Sequence, residues 1–476
     1  MSEKIKNTKK TKIVATIRLA SNSREILKEL IEAGMNVARI NFSHGTHESN
    51  GKIIKYVKEL RKEMKLPVGI MADFQGPRIR VGNAEPFTVE KDEIIVVKDQ
   101  KAGEEKALIV DSPGIVKSLK VGERILIEDG TKSLEIIEAN SGVVKAKTVN
   151  GGEIKPRKGI NIPDTKLGFG ALTDKDQEDL KFAIKQDVDF TAFSFVSNGQ
   201  EIIEIREIMN EMKTDDGNLP QIVSKIERKE AIENIDEIIS ASDVIMVARG
   251  DLGIELDESK VVIYQKEIIA KCLKAVKPVI VATQMMDSMI NNQIPTRAEV
   301  SDVSNAVIDH TDAVMLSGES ASGKYPVQAV AMMNEIIRNT EISPFDDVVN
   351  CEVKEKMSDY ISIISGVCQL AKNSEVKAIV VFSESGFTAR LISNYRTDKP
   401  ILVATNNAKT YQQLAIVWGV EPFYFSREDD RHKMLDLVIK EAKAKNELKS
   451  QDKIVLILGE KSKKEKASLI GIKEIA

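Results

Sequence analysis

Between Lys12 and Ser317 the chain carries eight short, nearly continuous apolar runs. They are Lys12–Thr16 (KIVAT), Asn36–Phe42 (NVARINF), Val68–Phe74 (VGIMADF), Phe190–Val196 (FTAFSFV), Gln221–Ile226 (QIVSKI), Val244–Arg249 (VIMVAR), Pro278–Gln284 (PVIVATQ) and Ala313–Ser317 (AVMLS). Unbroken Val, Ile, Met and Ala over so few residues is the pattern of parallel strands buried on both faces. Stretches of helical period separate the runs, among them Ser23–Ala33, Asp174–Gln186 and Glu258–Ala275. Eight such strand–helix units predict an α/β fold of the TIM (β/α)8 barrel type. A doubly wound sheet competes with it, but seldom extends to eight regular units.

The texture changes twice. From Arg78 to Ile162, short alternating segments (FTVEKDEIIVV, ALIV, ERILIEDG, SLEIIEA, VVKAKTV) are punctuated by Gly and Asp. This predicts a small β-barrel inserted after the third strand, where it leaves the C-terminal face of the main barrel and can act as a lid. After Ser343-Pro344, the runs Ala378–Phe382, Pro400–Ala404 and Lys453–Leu458 alternate with helical stretches at Thr388–Asn394 and Ala408–Trp418, which reads as a smaller α/β domain. The Lys/Glu-rich last residues read as a solvated edge. We expect a barrel domain over 1–75 and 164–343, a lid over 76–163 and a C-terminal domain over 344–476.

A chain of 476 residues suits about three domains at roughly 150 residues each. Lys+Arg 69 against Asp+Glu 73 gives a net charge of -4, which argues against nonspecific nucleic-acid binding. The three cysteines, Cys272, Cys351 and Cys368, form no CxxC pair and read as buried thiols of a reduced compartment. Met1–Lys12 is Lys-rich with no apolar stretch of signal-peptide length after it, and no uncharged apolar run reaches the roughly 20 residues of a membrane span. A cytoplasmic protein without membrane partners is the expectation.

In a TIM barrel, side chains at the C-terminal strand ends build the active site. Here the second run ends in Arg39, Asn41 and Ser43-His44, the third in Asp73, and the fifth in Lys225 and Glu227. The sixth ends in Arg249-Gly250-Asp251, the seventh in Thr283, and the eighth in Ser317 and Glu319. One buried Lys or Glu would ordinarily be a structural ion pair, but several converging on one mouth point to a site. Glu227 and Asp251, with no Cys or His beside them in sequence, suit a hard divalent ion such as Mg²⁺ that keeps substrate and water ligands. Arg39 and Lys225 offer charge to phosphate and to developing anions. Gly250 lets a backbone N–H approach an anionic ligand. Neither a P-loop nor a Ser-His-Asp arrangement is visible. The residues alone thus describe a Mg²⁺-dependent enzyme acting on a phosphorylated or carboxylate-bearing small molecule.

At these residues the chain resembles pyruvate kinases. The resemblance is carried by Asn36–His47 (NVARINFSHGTH), Ile222–Ile232 (IVSKIERKEAI), Ile245–Glu255 (IMVARGDLGIE), Val279–Val303 (VIVATQMMDSMINNQIPTRAEVSDV) and Asp312–Ser320 (DAVMLSGES). It implies phosphoryl transfer from phosphoenolpyruvate to ADP, giving ATP and, after protonation of an enolate, pyruvate. By motif, Lys225 stabilises the transferring group and the enolate, and Arg39 contacts phosphate. Glu227 and Asp251 hold Mg²⁺ or Mn²⁺. Gly250, Asp251 and Thr283 meet the substrate, with Thr283 near the water chain that delivers the proton. Asn41, Ser43, Asp73 and the Phe74 carbonyl resemble the family's monovalent-cation ligands. Asn41, His44, Arg80 and Lys158 belong to the nucleotide side, and a homotetramer follows by analogy.

Departures from the family pattern are informative. Where the family usually reads DTKGPE, residues Asp73–Arg78 are DFQGPR, which puts a fixed cation in place of the glutamate that goes with K⁺ dependence. K⁺ is therefore predicted to be dispensable, with Arg78 as its substitute. Thr16–Ser21 is TIRLAS instead of TIGPAS, and Ser197-Asn198 stands where Arg-Lys is usual. Ser383–Thr388 (SESGFT) resembles the family's phosphate-binding effector loop, whereas Gly459–Lys466 (GEKSKKEK) replaces its glycine-rich partner. Control by fructose bisphosphate is not expected there; the Lys cluster reads first as a solvated charged turn, with a site for another anionic effector as the alternative. The competing readings are a Mg²⁺-dependent enolate lyase or aldolase, which has no need of Arg80 and Lys158, and a non-catalytic effector-binding homologue.

Overall fold

In the computed structural model, the strands Lys12–Ile17, Val37–Asn41, Gly69–Asp73, Phe190–Phe193, Gln221–Ile226, Val244–Ala248, Val279–Ala282 and Ala313–Leu316 pair in parallel in chain order, and the eighth closes on the first. The structure describes residues 9–99, 106–112, 114–140, 143–165, 172–213, 218–346, 359–426, 430–445, 447–459 and 467–476. All barrel-strand residues are buried except Asn41 and Gln221, which are half-buried. That is why the strands read as continuous apolar runs with no alternation. The fourth and seventh strands stop short of the apolar segments that encode them. Phe195, Thr283 and Gln284 adopt left-handed backbone with φ of 59°, 71° and 53°, which no strand can continue through.

The helices start where hydroxyl and carboxylate side chains satisfy their first N–H groups. Ser23 caps Arg24–Ala33, while Thr173 with Asp176 and Thr296 with Glu299 form capping boxes on Asp174–Lys185 and Arg297–Ile308. The segment Glu258–Ala275, which reads as one helix, is a 3₁₀ turn at Glu258–Lys260 followed by an α-helix at Val261–Lys274.

The insertion forms a seven-stranded sheet running from Ile79–Arg80 to Gly159–Asn161 in chain order. Its edges meet through a bridge between Val81 and Val110 and a Gly82 N–H donated to the Ile109 carbonyl at 2.8 Å, which rolls it into a small barrel. Val97, Leu108, Ile125, Leu134, Ile136 and Val144 belong to its separate core.

The C-terminal sheet has five strands in the order Val420–Tyr424, Ile401–Thr405, Val376–Phe382, Lys453–Gly459, Ala467–Glu474, and the last alone is antiparallel. Both outer strands escape a reading by apolar runs. Pro422 interrupts one, and the other lies in the charged tail that reads as a solvated edge. Cys351 and residues 460–466 of the GEKSKKEK segment lie outside the described residues.

The C-terminal domain closes the bottom of the barrel. Val37, Met71, Phe190, Val223 and Met246 at the lower interior share one core with Ile379, Ile401, Val403 and Ile416. Arg396, 2% exposed, donates to the His310 carbonyl at 2.7 Å and to Asp312 at 2.9 Å, and lies over the Trp418 ring at 5.0 Å. Lys12 Nζ donates to the Val420 carbonyl at 2.9 Å. With this end plugged, the C-terminal strand ends form the open mouth.

Burial pushes the Lys12 ammonium down from its ordinary 10.5 to about 8, against the pull of Glu421, Glu341 and Asp312. A folded-state value below the unfolded one means that the native protein releases this proton first. Between these two values the unfolded chain binds more protons, so stability rises with pH through that window. Urea unfolding at pH 7.5 and 9.5 should show a gain of about 2 kcal/mol from this group, which Lys12→Met removes.

Candidate active site

Side chains alternate along a strand, so every second residue of each barrel strand faces the interior. Climbing that face from the plugged bottom, Val14 leads to Thr16, Val37 to Arg39 and Asn41, Met71 to Asp73, Phe190 and Ala192 to Ser194, and Val223 to Lys225 and Glu227. The interior changes from apolar to ionic within one or two such steps.

At the top these groups join in one network. Arg39 Nε donates to Asp73 Oδ2 at 2.6 Å, and its Nη1 donates to Thr16 Oγ1 at 2.8 Å. Lys225 Nζ meets Asp73 Oδ1 at 3.3 Å, Glu227 Oε1 at 2.8 Å and Ser194 Oγ at 2.7 Å. Ser194 Oγ donates onward to the Phe74 carbonyl at 2.8 Å, and the Phe195 N–H donates to Glu227 Oε2 at 2.9 Å. Arg39, Asp73, Lys225 and Glu227 are all buried. Unpaired charges at such positions would be prohibitively costly, so each depends on the others.

The electrostatics follow from this packing. Burial would raise the Asp73 carboxyl, but Arg39 and then Lys225 hold it below the usual carboxylate range. Burial opposes the Lys225 charge, yet Asp73, Glu227 and Asp251 together push its pKa above the ordinary lysine value. Glu227 is raised, first by burial and then by the Asp251 charge, despite its contact with Lys225. Lys225 is shared among several acids, so it does not fully offset either effect. Asp251 is half-buried and has no hydrogen-bond or ion-pair partner among the described residues. Two adjoining carboxylates, one of them unpartnered, fit a divalent cation that draws its remaining ligands from substrate and water. Among the described residues no cluster of three His, Cys, Asp or Glu competes for that role.

Gly250 and Thr283 come together, the Gly250 N–H donating to Thr283 Oγ1 at 2.7 Å. Thr283 holds a left-handed conformation that a β-branched residue adopts only under constraint. The constraint is Arg249, which donates to the Thr283 carbonyl at 2.8 Å and the Gln284 carbonyl at 3.1 Å while pairing with Asp302 at 2.7 Å. Glu319, at the eighth strand end, braces the same loop by accepting the Met286 and Ser317 N–H groups at 3.0 and 2.8 Å.

Asn41 ends the second strand and Ser43 and His44 lie on the loop after it, where Asn41 Oδ1 accepts the Ser43 N–H at 2.9 Å. His44 is exposed, and its pKa is lowered by burial of part of the ring and by the charges of Arg18, Arg78, Arg80 and Arg39. Arg80 and Lys158 sit on the insertion. The former donates to the Arg157 carbonyl at 3.1 Å, and the latter pairs with Glu128 at 3.1 Å, away from the ionic network. Arg78 lines the cleft between insertion and barrel with Asp251 and Phe195. Sequence reasoning missed Ser194 and Thr16, whose only signal is a hydroxyl at the end of an apolar run.

A plugged parallel barrel with two acids, a buried Lys and a buried Arg at its mouth, under an inserted β-barrel, defines a TIM-barrel enzyme with an ionic site. The family model described as pyruvate kinase, barrel domain, matches residues 8–330, and that described as pyruvate kinase, alpha/beta domain, matches residues 362–472. A pyruvate kinase from Geobacillus stearothermophilus is 41% identical over 458 residues, covering 95% of this chain and 78% of that one. One from Bacillus licheniformis is 42% identical over 445 residues, covering 92% and 75%. The crystal structure of a pyruvate kinase from Cryptosporidium parvum superposes with a TM-score of 0.93 at 34% identity, covering 98% of this chain and 97% of that one. The chain belongs to the pyruvate kinase family. Its activity is phosphoryl transfer from phosphoenolpyruvate to ADP, the glycolytic step that yields pyruvate and ATP. Among the described residues, no helix is long and apolar enough to cross a membrane.

Arg249→Lys keeps the charge but loses the fork that holds two carbonyls and Asp302 together. We expect kcat to fall about 10- to 100-fold as Thr283 loses its place, with the thermal midpoint little changed, read by steady-state kinetics beside a melting scan.

Proposed function

We infer that the transfer is carried out by charge placement at the network of Arg39, Asp73, Lys225 and Glu227, and the observation that carries this reading is Lys225 held between Asp73 and Glu227. Phosphoryl transfer needs in-line positioning and neutralisation rather than a covalent nucleophile. Lys225 keeps its proton because three carboxylates favour it, so it faces the transferring group and the enolate oxygen as a permanent cation. Arg39, fixed through Asp73 and Thr16, turns its remaining N–H groups to the phosphate. The Gly250 backbone and the Thr283 hydroxyl take the carboxylate end, and Thr283 orients the water that protonates the enolate. Mg²⁺ or Mn²⁺, held by Glu227 and Asp251, would supply neutralisation of the charge on substrate carboxylate, enolate oxygen and phosphate.

On the nucleotide side we assign Asn41, His44, Arg80 and Lys158. Partial burial and then its arginine neighbours lower the His44 pKa, which favours the neutral ring as a hydrogen-bond donor to phosphate. Asn41, Ser43, Asp73 and the Phe74 carbonyl are the candidate monovalent-cation ligands. Both Asp73 oxygens are already engaged by Arg39 and Lys225, and the Phe74 carbonyl accepts from Ser194, which supports the reading that K⁺ is dispensable and that Arg78 stands in for it.

In the C-terminal domain, Ser383 is 1% exposed and its Oγ has no hydrogen-bond partner among the described residues, and Gly386 with φ 77° opens the helix Phe387–Asn394. This supports an anionic effector at Ser383–Thr388. The homotetramer, the cytoplasmic location and the domain limits 1–75 with 164–343, 76–163 and 344–476 complete the reading.

Pyruvate formation from phosphoenolpyruvate, ADP and Mg²⁺ tests the core of it. Lys225→Met should lower turnover by at least about 10³-fold, and retention of most activity would sink the assignment. KCl titrated at constant ionic strength should leave the wild-type rate nearly unchanged, and Arg78→Glu should make the rate depend on K⁺. Strong K⁺ stimulation of the wild type would refute the role given to Arg78.

A further inference from the structure

The cleft between insertion and barrel holds a buried acid that the reaction does not use. Glu255, four positions beyond Asp251 in the chain, ends the short helix Arg249–Glu255 and is 5% exposed. Its Oε1 accepts from Asn161 Nδ2, on the strand by which the chain leaves the inserted domain, at a long 3.4 Å. Its Oε2 is buried and has no hydrogen-bond partner among the described residues. A buried carboxylate oxygen without a donor is costly, and native structures rarely leave one without a reason.

Beside it Arg228, also 5% exposed, donates to the Thr165 carbonyl at 3.4 Å, a few residues further along the same return segment, and pairs with Glu230 at 3.3 Å. Burial pushes the Glu255 carboxyl up, and the Arg228 charge opposes this. Glu255 thus reaches the inserted domain and Arg228 the return segment just after it, both through long bonds, next to Asp251 and Arg78 on the same cleft wall. The barrel faces the return segment with more hydrogen-bonding capacity than this arrangement uses.

We propose that Glu255 is a positioning residue for the inserted domain, its carboxylate gripping Asn161 so that the lid's nucleotide-side residues are held over the Asp251 side of the mouth, with Arg228 as the second barrel anchor. The proposal rests on the phosphoryl-transfer reading, since it assigns the grip to the nucleotide half of that reaction. Glu255 touches no reacting atom. Its effect appears in how the lid meets ADP and not in how the barrel meets phosphoenolpyruvate.

The test is a double-mutant cycle on the full chain with Glu255→Ala, Asn161→Ala and the pair, measuring KM for each substrate and kcat. Each single variant should raise KM for ADP about tenfold, the loss of one hydrogen bond to a charged group. KM for phosphoenolpyruvate should stay within about twofold, and the double variant should match either single one instead of multiplying them. Glu255→Gln, which keeps an acceptor oxygen, should restore most of the ADP affinity. Hydrogen exchange of the Gly159–Asn161 segment should quicken in both alanine variants. Multiplicative effects, equal changes in both KM values, or a lowered melting midpoint with an unchanged KM for ADP would overturn the proposal. A wild type without turnover would instead refute the reading on which it rests, and the exchange measurement would still report on the grip.

Discussion

One lysine organises the mouth of this barrel. Lys225 is buried, and its charge is tolerable only because Asp73 and Glu227 lie within ion-pair reach and Ser194 Oγ accepts a further hydrogen bond from the ammonium. Each partner is then committed elsewhere. Asp73 positions Arg39, Glu227 accepts the backbone of Phe195 and feels Asp251, and Ser194 binds the carbonyl where the chain departs for the insertion. Removing the lysine would leave two buried acids with one cation between them. In the proposed reading catalytic charge and structural charge are the same charge, which accounts for an ionic upper barrel interior.

The opposite end of the barrel supplies what this arrangement needs. The C-terminal domain seals the lower interior with apolar side chains, and Arg396, Asp312 and Lys12 satisfy the backbone and ionic groups at the seam. Water is kept from the lower interior, so the ion pairs above stand on a low-dielectric base where their mutual attraction is strong.

Much of this was legible in the sequence because strand geometry is simple. Runs buried on both faces announce themselves, and polar residues breaking in at their C-terminal ends can only face the mouth. Arg39, Asp73, Lys225 and Glu227 were found that way and do meet. Ser194 and Thr16 were not, because a hydroxyl at a strand end is too ordinary to stand out. The left-handed turn at Thr283 was equally silent, since a threonine gives no local sign of a conformation imposed by Arg249 34 positions away. The edge strand Val420–Tyr424 was hidden by Pro422, which an edge tolerates and a central strand would not. The bond from Asn161 to Glu255 joins residues 94 positions apart, beyond any local pattern.

The insertion leaves the barrel from Phe74, the residue directly after Asp73, and its stem is pinned where the Gly76 N–H reaches Asp176 at 3.2 Å. The stem is therefore cut from the same strand that holds the central acid. A barrel freed of its lid would lose the backbone continuity that seats Asp73 and the Phe74 carbonyl, and with them the support of Ser194 and Lys225. The two bodies are separable by eye but not by truncation, so shortening or grafting the insertion edits the ionic network as well.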